Sequence, residues 1–528
     1  MDDQQGADAE AAAVWIRCSC RMQYHVYIRS DRMSMIIRNI RIIDPASGLD
    51  EVGDIHINGE HIEKIVTRGA GSDSDAIRPG EDSASGAARP GMDSASGAAR
   101  PGEEEDAEII DGTGLVCAPG LVDVHVHFRD PGFTHKEDID TGSRAAAAGG
   151  FTSVVMMANT RPAIDNEETL RYVLEKSSHQ PIHVYTCADI TEDLRGESLT
   201  DMAHLSELGA VGFTDDGIPL RDPEICRQAM ITAGSLHMPL SFHEEDPSYI
   251  RNNGINAGAA SEYYGVGGSP RDAEISMIRR DIEIAESVLK ETGSDGPDIV
   301  IQHISSAEGV ELVRQARKSN PHIHAEATPH HFSLTEESII KHGTMAKMNP
   351  PLRTEADRLA IIEGLRDGTI ELISTDHAPH STEEKSRPIT EAPSGIIGLE
   401  TSLALGITCL VYGIRPEAEE PADRQSDNAS VMRNTYPSGS GPVSAENGYM
   451  SLSDLLRAMT VNPAKLYGLD AGRIYEGGPA DLVIFDPDDE WMVTDTFASK
   501  SSNSPFIGTT LRGRVRKTIC RGRIVFGS

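Results

Sequence analysis

The chain has 528 residues, enough for a barrel of roughly 250 residues together with smaller units. Its 83 acidic and 48 basic residues give a formal net charge of −35, which argues against nucleic acid or an anionic membrane as a partner because both select basic surfaces. No apolar run approaches the length of about 18 residues that a membrane helix needs. The seven cysteines are scattered without a disulfide pattern, so we expect a cytoplasmic protein.

The N-terminal region alternates between structured and unstructured patterns. Residues 1–34 are predicted to form a disordered extension, since their one apolar run is too short for a signal peptide. Short β-branched runs at 35–70 and 109–116 predict the first part of a small β domain. Between them, 71–108 carries a repeat of small and acidic residues with glycine and proline, and a segment of the same character spans 416–448. Such segments bury too little apolar area to offset their ordering entropy, so both are predicted to be disordered insertions.

Residues 117–470 contain eight apolar, β-rich runs, most of them separated by amphipathic stretches. The alternation predicts parallel βα units that close into a (β/α)8, TIM-like barrel. Residues 471–528 return to short strands and are predicted to pair with the N-terminal strands in one discontinuous β-rich domain. The eight runs are Gly120–His127, Thr152–Met157, Ile182–Cys187, Ala210–Thr214, Pro239–His243, Ile299–His303, His322–Ala327 and Thr369–Thr375.

Two histidines at the end of the first barrel run are candidates for metal binding. His125 and His127 are two positions apart, so on a strand both side chains point to the same side. Two imidazoles on one side can reach a single metal ion at about 2.0–2.1 Å. The carboxyl end of a barrel strand is the face where catalysis takes place in this architecture, which favours the metal interpretation over two unrelated surface histidines.

Four later runs end in further nitrogen and oxygen ligands. The FTDDG segment carries Asp215 and Asp216, of which only one can point inward, and the pattern leaves open which one. His243 and His303 end two further runs and fit a second metal site, and Asp376 follows the last run. A set without thiolates suits a pair of hydrolytic zinc ions, with manganese or cobalt as substitutes.

The chemistry of such a set is hydrolytic. Two metal ions that share a water lower its pKa and make hydroxide available near neutral pH, and they also polarise a carbonyl group. An aspartate beside the bridging hydroxide can accept its proton and pass it to a leaving nitrogen. The residues therefore predict hydrolysis of an amide or ester-like bond, or the reverse reaction.

Seven motifs then occur in the order typical of one family. They are DVHVHFRDPG, MANTRP, FTDDG, TPHH, KMNPPLR, TDHAPH and APSGIIGLET. Together they resemble the class I dihydroorotases of the amidohydrolase superfamily, over residues 35–528 apart from the two insertions. Hydantoinases and other relatives bridge their metals with a carboxylated lysine, and the segment 209–220 contains none, which favours the carboxylate-bridged type.

The resemblance implies a role for each strand-end residue. Asp216, the second aspartate of FTDDG, would bridge two zinc ions, and Asp376 would also be the general acid/base. The histidine pair of the first run would bind the first metal together with Asp376, and the later pair would bind the second. The six implied ligands are His125, His127, Asp216, His243, His303 and Asp376.

It also implies a set of substrate contacts. Arg129 and Asn159 would bind the substrate carboxylate, for which the planar donor fork of arginine is well suited. Asn349 and His380 would contact the dihydropyrimidine, and the long polar segment 381–395 is predicted to be a lid that excludes water. Some relatives carry an aromatic residue where Ser394 stands. The implied substrate residues are His127, Arg129, Asn159, Asn349, His380, Ser394 and Gly395.

The resemblance implies the reversible cyclisation of N-carbamoyl-L-aspartate to L-dihydroorotate, a step of pyrimidine synthesis. Two alternatives stay open: another cyclic amidohydrolase that acts on hydantoin or allantoin, or a catalytically silent homologue that serves as a scaffold. Arg129 and Asn159 argue against a neutral hydantoin, which has no carboxylate, and a silent homologue would be expected to lack metal ligands. For assembly, the resemblance leaves open a homo-oligomer or association with aspartate transcarbamoylase.

Overall fold

A computed structural model describes residues 34–68, 107–293, 296–416 and 448–527. The extension predicted at 1–34 lies outside these residues except for Ser34. Nearly all of the insertions predicted at 71–108 and 416–448 also lie outside them. Within the described ranges, no helix is both long enough and apolar enough to cross a membrane.

The strands of the described residues fall into a barrel set and a terminal set. They are β1 Ser34–Asp44, β2 Leu49–Asn58, β3 His61–Thr67, β4 Glu108–Asp111, β5 Val116–Pro119, β6 Leu121–Val126, β7 Phe151–Met156, β8 His183–Thr186, β9 Phe213–Thr214, β10 Leu240–Phe242, β11 Ile299–Ile301, β12 Ile323–Ala327, β13 Leu372–Ile373, β14 Leu482–Met492, β15 Thr510–Cys520 and β16 Arg523–Phe526.

The α-helices of the described residues lie mainly between the barrel strands. They are α1 Ile139–Ala148, α2 Glu167–Ser177, α3 Met202–Leu208, α4 Pro223–Leu236, α5 Ala259–Tyr264, α6 Arg271–Thr292, α7 Ala307–Ala316, α8 Pro329–Ser333, α9 Glu337–His342, α10 Glu355–Asp367, α11 Thr382–Lys385, α12 Ser402–Gly406, α13 Leu452–Met459 and α14 Val461–Leu466.

Strands β6 to β13 form the barrel; seven of the eight predicted runs contain one of them, and β7 begins one residue before the run Thr152–Met157. Parallel pairing joins β6, β7 and β8 in one group and β9 to β13 in another. Two parallel bridges connect the groups, Ala188 with Phe213 and Val126 with His377. The ring of strands is therefore closed, and the carboxyl ends of all eight lie at one face.

Burial explains why these segments form strands with helices outside them. Every residue of β6 and β7 is buried, as expected for parallel strands that are covered on both faces. The outer helix α6 buries Met277, Ile278, Ile282 and Ala285 along one stripe, which is the spacing of an amphipathic helix that packs against a sheet.

Both ends of the chain share one eight-stranded sheet, which confirms the predicted discontinuous β domain. Its order is β16-β15-β14-β5-β1-β2-β3, and β4 also pairs with β1. The sheet has its own apolar cluster, which includes Ile37, Ile55, Ile484 and Ile519. It also takes in Val116–Pro119, which extends beyond the limit of 116 drawn from the sequence. The remaining domain limits stay predictions.

Candidate active site and metal centre

The six predicted metal ligands come together at the carboxyl face of the barrel. Each lies at the end of a barrel strand or within two or three residues of it, and all are buried. Three residues of this face adopt left-handed backbone conformations, namely Arg129 with φ 59°, His303 with φ 32° and Asp376 with φ 46°. Such conformations cost on the order of 1 kcal/mol or more each in a non-glycine residue, and they are concentrated at functional sites.

The first group of ligand atoms surrounds one side of Asp216. The Nε2 atom of His125 lies 3.5 Å from Asp216 Oδ1 and 3.6 Å from Asp376 Oδ1. The Nε2 atom of His127 lies 3.4 Å from Asp216 Oδ2 and 3.0 Å from Asp376 Oδ1. Two imidazoles and two carboxylates thus face a common point.

The second group lies around the same carboxylate. His243 Nδ1 and His303 Nε2 are 3.0 Å apart, and each is 3.8 Å from Asp216 Oδ1. Each histidine pair forms, together with Asp216, one of the three clusters of described residues whose ligand atoms are close enough to hold a metal ion. Asp216 is the member that the two groups have in common.

These separations fit metal coordination. Two atoms bound to one tetrahedral zinc ion at about 2.0–2.1 Å are about 3.3 Å apart. The separations given above range from 3.0 to 3.8 Å and so bracket that value. His125 Nε2 is also buried without a hydrogen-bond partner among the described residues, whereas the other nitrogen of the ring is hydrogen-bonded. A buried nitrogen without a partner is costly in a protein interior, and a bound cation would satisfy it.

The protons of the first two imidazoles are directed away from the proposed metal position. Glu326 Oε1 lies 2.5 Å from His125 Nδ1, and Asn159 Oδ1 lies 3.1 Å from His127 Nδ1. Each partner can accept the Nδ1 proton, which leaves the Nε2 lone pair free for a metal. Asn159 also donates to Asp216 Oδ2 at 3.1 Å, so this residue, predicted to bind substrate, contacts two predicted ligands here.

The structure resolves which aspartate of FTDDG points inward. Asp216 faces the histidines, while Asp215 points away and accepts hydrogen bonds from the backbone amides of Ile190 at 2.7 Å and Thr191 at 3.0 Å. Burial raises the pKa of Asp215 to about 6. Burial alone would also raise the pKa of Asp216, but His125 and the other histidines outweigh it and hold that pKa well below its usual value.

Asp376 is arranged to be ionised. Burial opposes its charge, but the close contact with His127 and the fields of His125 and His303 prevail, so the pKa of Asp376 is lowered. An ionised carboxylate can coordinate a cation and can also accept a proton. By contrast, burial lowers the pKa of His330 to about 4, and neither His330 nor His331 belongs to any potential metal cluster of the described residues.

A cavity of about 410 Å³ opens beside the ligand cluster, within the usual range for small-molecule sites. All seven predicted substrate residues line it. Among the described residues, the guanidinium of Arg129 has no ion pair or hydrogen bond, and its Nε atom is buried. The Oδ1 atom of Asn349 is likewise buried without a partner. These two groups offer a cationic donor and a carbonyl acceptor to a ligand.

Several residues that shape the site were missed by the sequence analysis. Glu326 lies on β12 and accepts from His125 and also from the backbone amide of His303 at 3.2 Å. An acidic residue inside a buried strand was the signal that could have identified it. Asn503 comes from the terminal domain and holds the backbone at Ala378 and Gly395, each at 3.1 Å. No local pattern marks this asparagine.

A third cluster has a metal-like composition but a different role. His183, Asp481 and Cys520 lie together where the barrel meets the terminal sheet. Arg521 lies 3.3 Å from His183 Nδ1 and, because a guanidinium can only donate, the histidine proton must be on Nε2. That proton faces Asp481 at 2.9 Å. The cluster is therefore a hydrogen-bonded contact between two domains, with no imidazole lone pair available for a metal.

Family comparisons agree over nearly the whole chain. The model described as Dihydro-orotase-like matches residues 114–309, and the Amidohydrolase family model matches residues 299–525. The chain is 47% identical over 494 residues to a dihydroorotase of Clostridioides difficile, which covers 94% of this chain and 100% of that protein. It is 44% identical to a dihydroorotase of Lactococcus lactis, over 94% of this chain and 99% of the relative.

Solved structures with a similar fold are more distant in sequence. A dihydropyrimidinase from Brevibacillus agri superposes with a TM-score of 0.69 at 19% identity, over 93% of this chain and 95% of that one. An L-hydantoinase from Arthrobacter aurescens gives a TM-score of 0.69 at 23% identity, with the same coverage. These likenesses confirm the predicted barrel with its β-rich domain. The relatives of 44–47% identity, together with the two family models, show that the chain belongs to the dihydroorotase family of amidohydrolases.

Proposed function

We propose that the protein is a dihydroorotase that interconverts N-carbamoyl-L-aspartate and L-dihydroorotate. The observation that carries the proposal is the placement of Asp216 between two histidine pairs, beside a cavity into which Arg129 presents an unpaired guanidinium. The first feature suits hydrolysis of an amide, and the second suits a substrate that carries a carboxylate. Its 47% identity to a dihydroorotase supports the same assignment.

Two zinc ions are the proposed cofactor. His125, His127 and Asp376 would hold one ion, His243 and His303 would hold the other, and Asp216 would contact both. The chemistry that bound zinc supplies is a water of lowered pKa and a polarised carbonyl group. Glu326 and Asn159 support this arrangement by accepting the Nδ1 protons of the first two histidines.

Asp376 is proposed to move the proton. In the hydrolytic direction, a water oxygen bonds to the ring carbonyl carbon next to the methylene, and the bond from that carbon to the ring nitrogen breaks. Asp376 accepts the proton from the attacking oxygen and returns it to the departing nitrogen. The lowered pKa of Asp376 means that the carboxylate is ionised, as it must be before it can bind a metal or take up a proton. Cyclisation follows the same steps in reverse and releases water.

Substrate orientation is assigned to the opposite wall of the cavity. Arg129 would pair with the carboxylate, and Asn349 would use its unpartnered Oδ1 to accept from the ring N–H. His380 is held by the backbone carbonyl of Ser394, 2.8 Å from its Nε2. That bond places the proton on Nε2 and leaves the Nδ1 lone pair for a donor on the ligand.

The experiment that tests the function follows dihydroorotate absorbance in both directions with purified, zinc-loaded protein. Interconversion that is lost after chelation and restored by zinc is the expected result. Turnover of hydantoin or allantoin in preference to dihydroorotate would instead favour another cyclic amidohydrolase. No turnover of any ring by protein shown to contain two zinc ions would favour the scaffold alternative.

The assembly state is a separate proposal. Size-exclusion chromatography with light scattering would show whether the protein forms a homo-oligomer. Repeating the measurement with aspartate transcarbamoylase would test the association that the resemblance implies.

A further inference from the structure

One wall of the cavity is formed by the loop of residues 392–395. All four of its backbone carbonyls accept hydrogen bonds from side chains. Lys347 Nζ donates to the carbonyl of Ala392 at 2.6 Å, and Lys385 Nζ donates to the carbonyl of Pro393 at 3.0 Å. The next two carbonyls belong to Ser394 and Gly395. They are held by His380 Nε2 at 2.8 Å and by Lys385 Nζ at 2.9 Å, respectively. Four consecutive carbonyls therefore point to fixed donors.

The two lysines that hold this loop are unusual within the molecule. Lys347 and Lys385 are the only buried lysines among the described residues, and each residue is 4% exposed. Neither forms an ion pair with a carboxylate in the described ranges, so their ammonium groups rely on backbone carbonyls. A buried ammonium without a counter-charge is costly, which argues that the position has a use beyond packing. Burial lowers the pKa of Lys385 to about 7.

The bonds to lysine determine what the loop presents to the cavity. In a trans peptide the carbonyl and the following N–H point in opposite directions. Because the Pro393 carbonyl points to Lys385, the amide of Ser394 points away from it, and that amide has no hydrogen bond to another described residue. The Gly395 amide is fixed to the Lys347 carbonyl at 2.8 Å. Ser394 and Gly395 both line the cavity.

The loop also packs closely against Gly254 and Ala378. Gly254 has φ +73°, and a Cβ atom at this position would lie 2.3 Å from Ser394 Oγ. A Cβ atom on Gly395 would lie 2.6 Å from Ala378 Cβ. The loop is thus confined from both sides, and Lys385 is the donor that reaches two of its carbonyls.

We propose that Lys385 is a positioning residue for substrate binding, which fixes the backbone of residues 392–395 as the wall that the substrate meets. The proposal rests on the proposed dihydroorotase function and adds a residue to it. Lys385 acts through the loop and contacts no reacting atom. Lys347 supports the same wall from the opposite end of the carbonyl series.

The test is the Lys385→Met variant, which keeps the length of the side chain and removes its charge and donors. The matched control is Lys136→Met, because Lys136 pairs at 2.8 Å with Glu384 on the same short helix but binds no carbonyl of residues 392–395. Steady-state kinetics with dihydroorotate should show KM raised about 10-fold or more in Lys385→Met, with kcat changed less than about 3-fold. Lys136→Met should stay within about 2-fold of the wild-type protein in both constants.

A second measurement separates positioning from a general loss of structure. Hydrogen–deuterium exchange of the 386–396 segment should be faster in Lys385→Met, while exchange of the barrel strands and the zinc content remain unchanged. If Lys385→Met does not fold, Lys347→Met is expected to show the same rise in KM and the same local exchange. Unchanged KM and unchanged exchange in the folded variants would overturn the proposal. Absence of activity in the wild-type protein would instead contradict the proposed function.

Discussion

The two walls of the cavity are built in opposite ways. On the side of the ligand cluster, histidines are held by acceptors: Glu326 lies 2.5 Å from His125, and Asn159 lies 3.1 Å from His127. Elsewhere around the cavity, the guanidinium of Arg129 has no carboxylate partner among the described residues, and neither has Lys385, which binds the loop 392–395. The ligand cluster is rich in carboxylates and suits metal cations, while the part of the cavity around Arg129 is positively charged and suits an anion.

This difference would orient a substrate that carries a carboxylate. Its anionic end is attracted to the cationic wall, so the reactive carbonyl is directed to the ligand cluster. The chain as a whole has a net charge of −35, so the positive wall is a local arrangement rather than a property of the composition. Local charge at a binding site, rather than net charge, determines which small ligand is accepted.

The largest expected effect comes from a substitution in the ligand cluster. Asp376→Asn keeps the shape of the side chain but removes the group proposed to accept the proton. We expect kcat to fall by at least about 10³-fold in both directions, since general acid–base catalysis contributes about 10²–10⁴ and the variant also weakens a metal ligand. The absorbance assay measures this, and zinc analysis separates the two causes. A variant that retains zinc and more than a tenth of the activity would contradict the assignment of Asp376.

Removing the positive charge of Arg129 should affect substrate binding more than the chemical step. In Arg129→Met, loss of charge-assisted hydrogen bonds worth about 1.5–3 kcal/mol should raise KM about 10- to 100-fold. Arg144→Met is the control, because Arg144 is exposed on the outer helix α1. Michaelis–Menten kinetics with dihydroorotate gives the comparison. Equal KM values for both variants would show that Arg129 does not bind the carboxylate.

The support of the ligand cluster can be tested without changing a proposed ligand. Glu326→Gln removes the charge that holds the His125 proton and should weaken zinc binding about 10- to 100-fold, as for other partners of metal-bound histidines. Glu371→Gln is a matched control on the neighbouring part of the barrel, since Glu371 lies 2.5 Å from His324 Nδ1 but away from the cluster. Competition with a chelator of known affinity measures the difference. The hypothesis fails if both variants retain zinc equally well.

The smallest expected effect is the pH dependence that Lys385 gives to stability. Burial holds its folded pKa at about 7, below its ordinary value of 10.5. Between these values the unfolded state binds more protons, so the contribution of Lys385 to the free energy of unfolding rises with pH. From pH 7 to pH 8, the wild-type protein should gain on the order of 1 kcal/mol relative to Lys385→Met, which does not titrate.

Urea denaturation at both pH values measures this gain, with Lys347 and Glu384 as the charged neighbours present in both proteins. Lys136→Met should follow the wild-type protein. A constant difference between the wild-type protein and Lys385→Met across this range would show that the Lys385 ammonium is not desolvated in the folded state.

The ligand side of the site could be predicted from sequence because its residues are attached to strands. Seven of the eight apolar runs contain a barrel strand and the eighth contains all but the first residue of one, and strand ends in a closed parallel barrel meet at one face. His125, His127, His243 and His303 could therefore be grouped from their positions alone. The pattern left Asp215 and Asp216 open, since only the path of the chain after β9 determines which carboxylate points inward.

The sequence by itself determined the positions of the strands, their alternation with helical stretches and the residue types at the strand ends, because these depend on periodicity over a few residues. Only the tertiary structure decided which acceptors bind the imidazole protons and which donors bind the backbone carbonyls of residues 392–395. Glu326 is 201 residues from His125, and Asn503 is 108 residues from Gly395. Contacts over such separations depend on how the barrel closes and how the terminal sheet packs against it, and no local pattern carries that information.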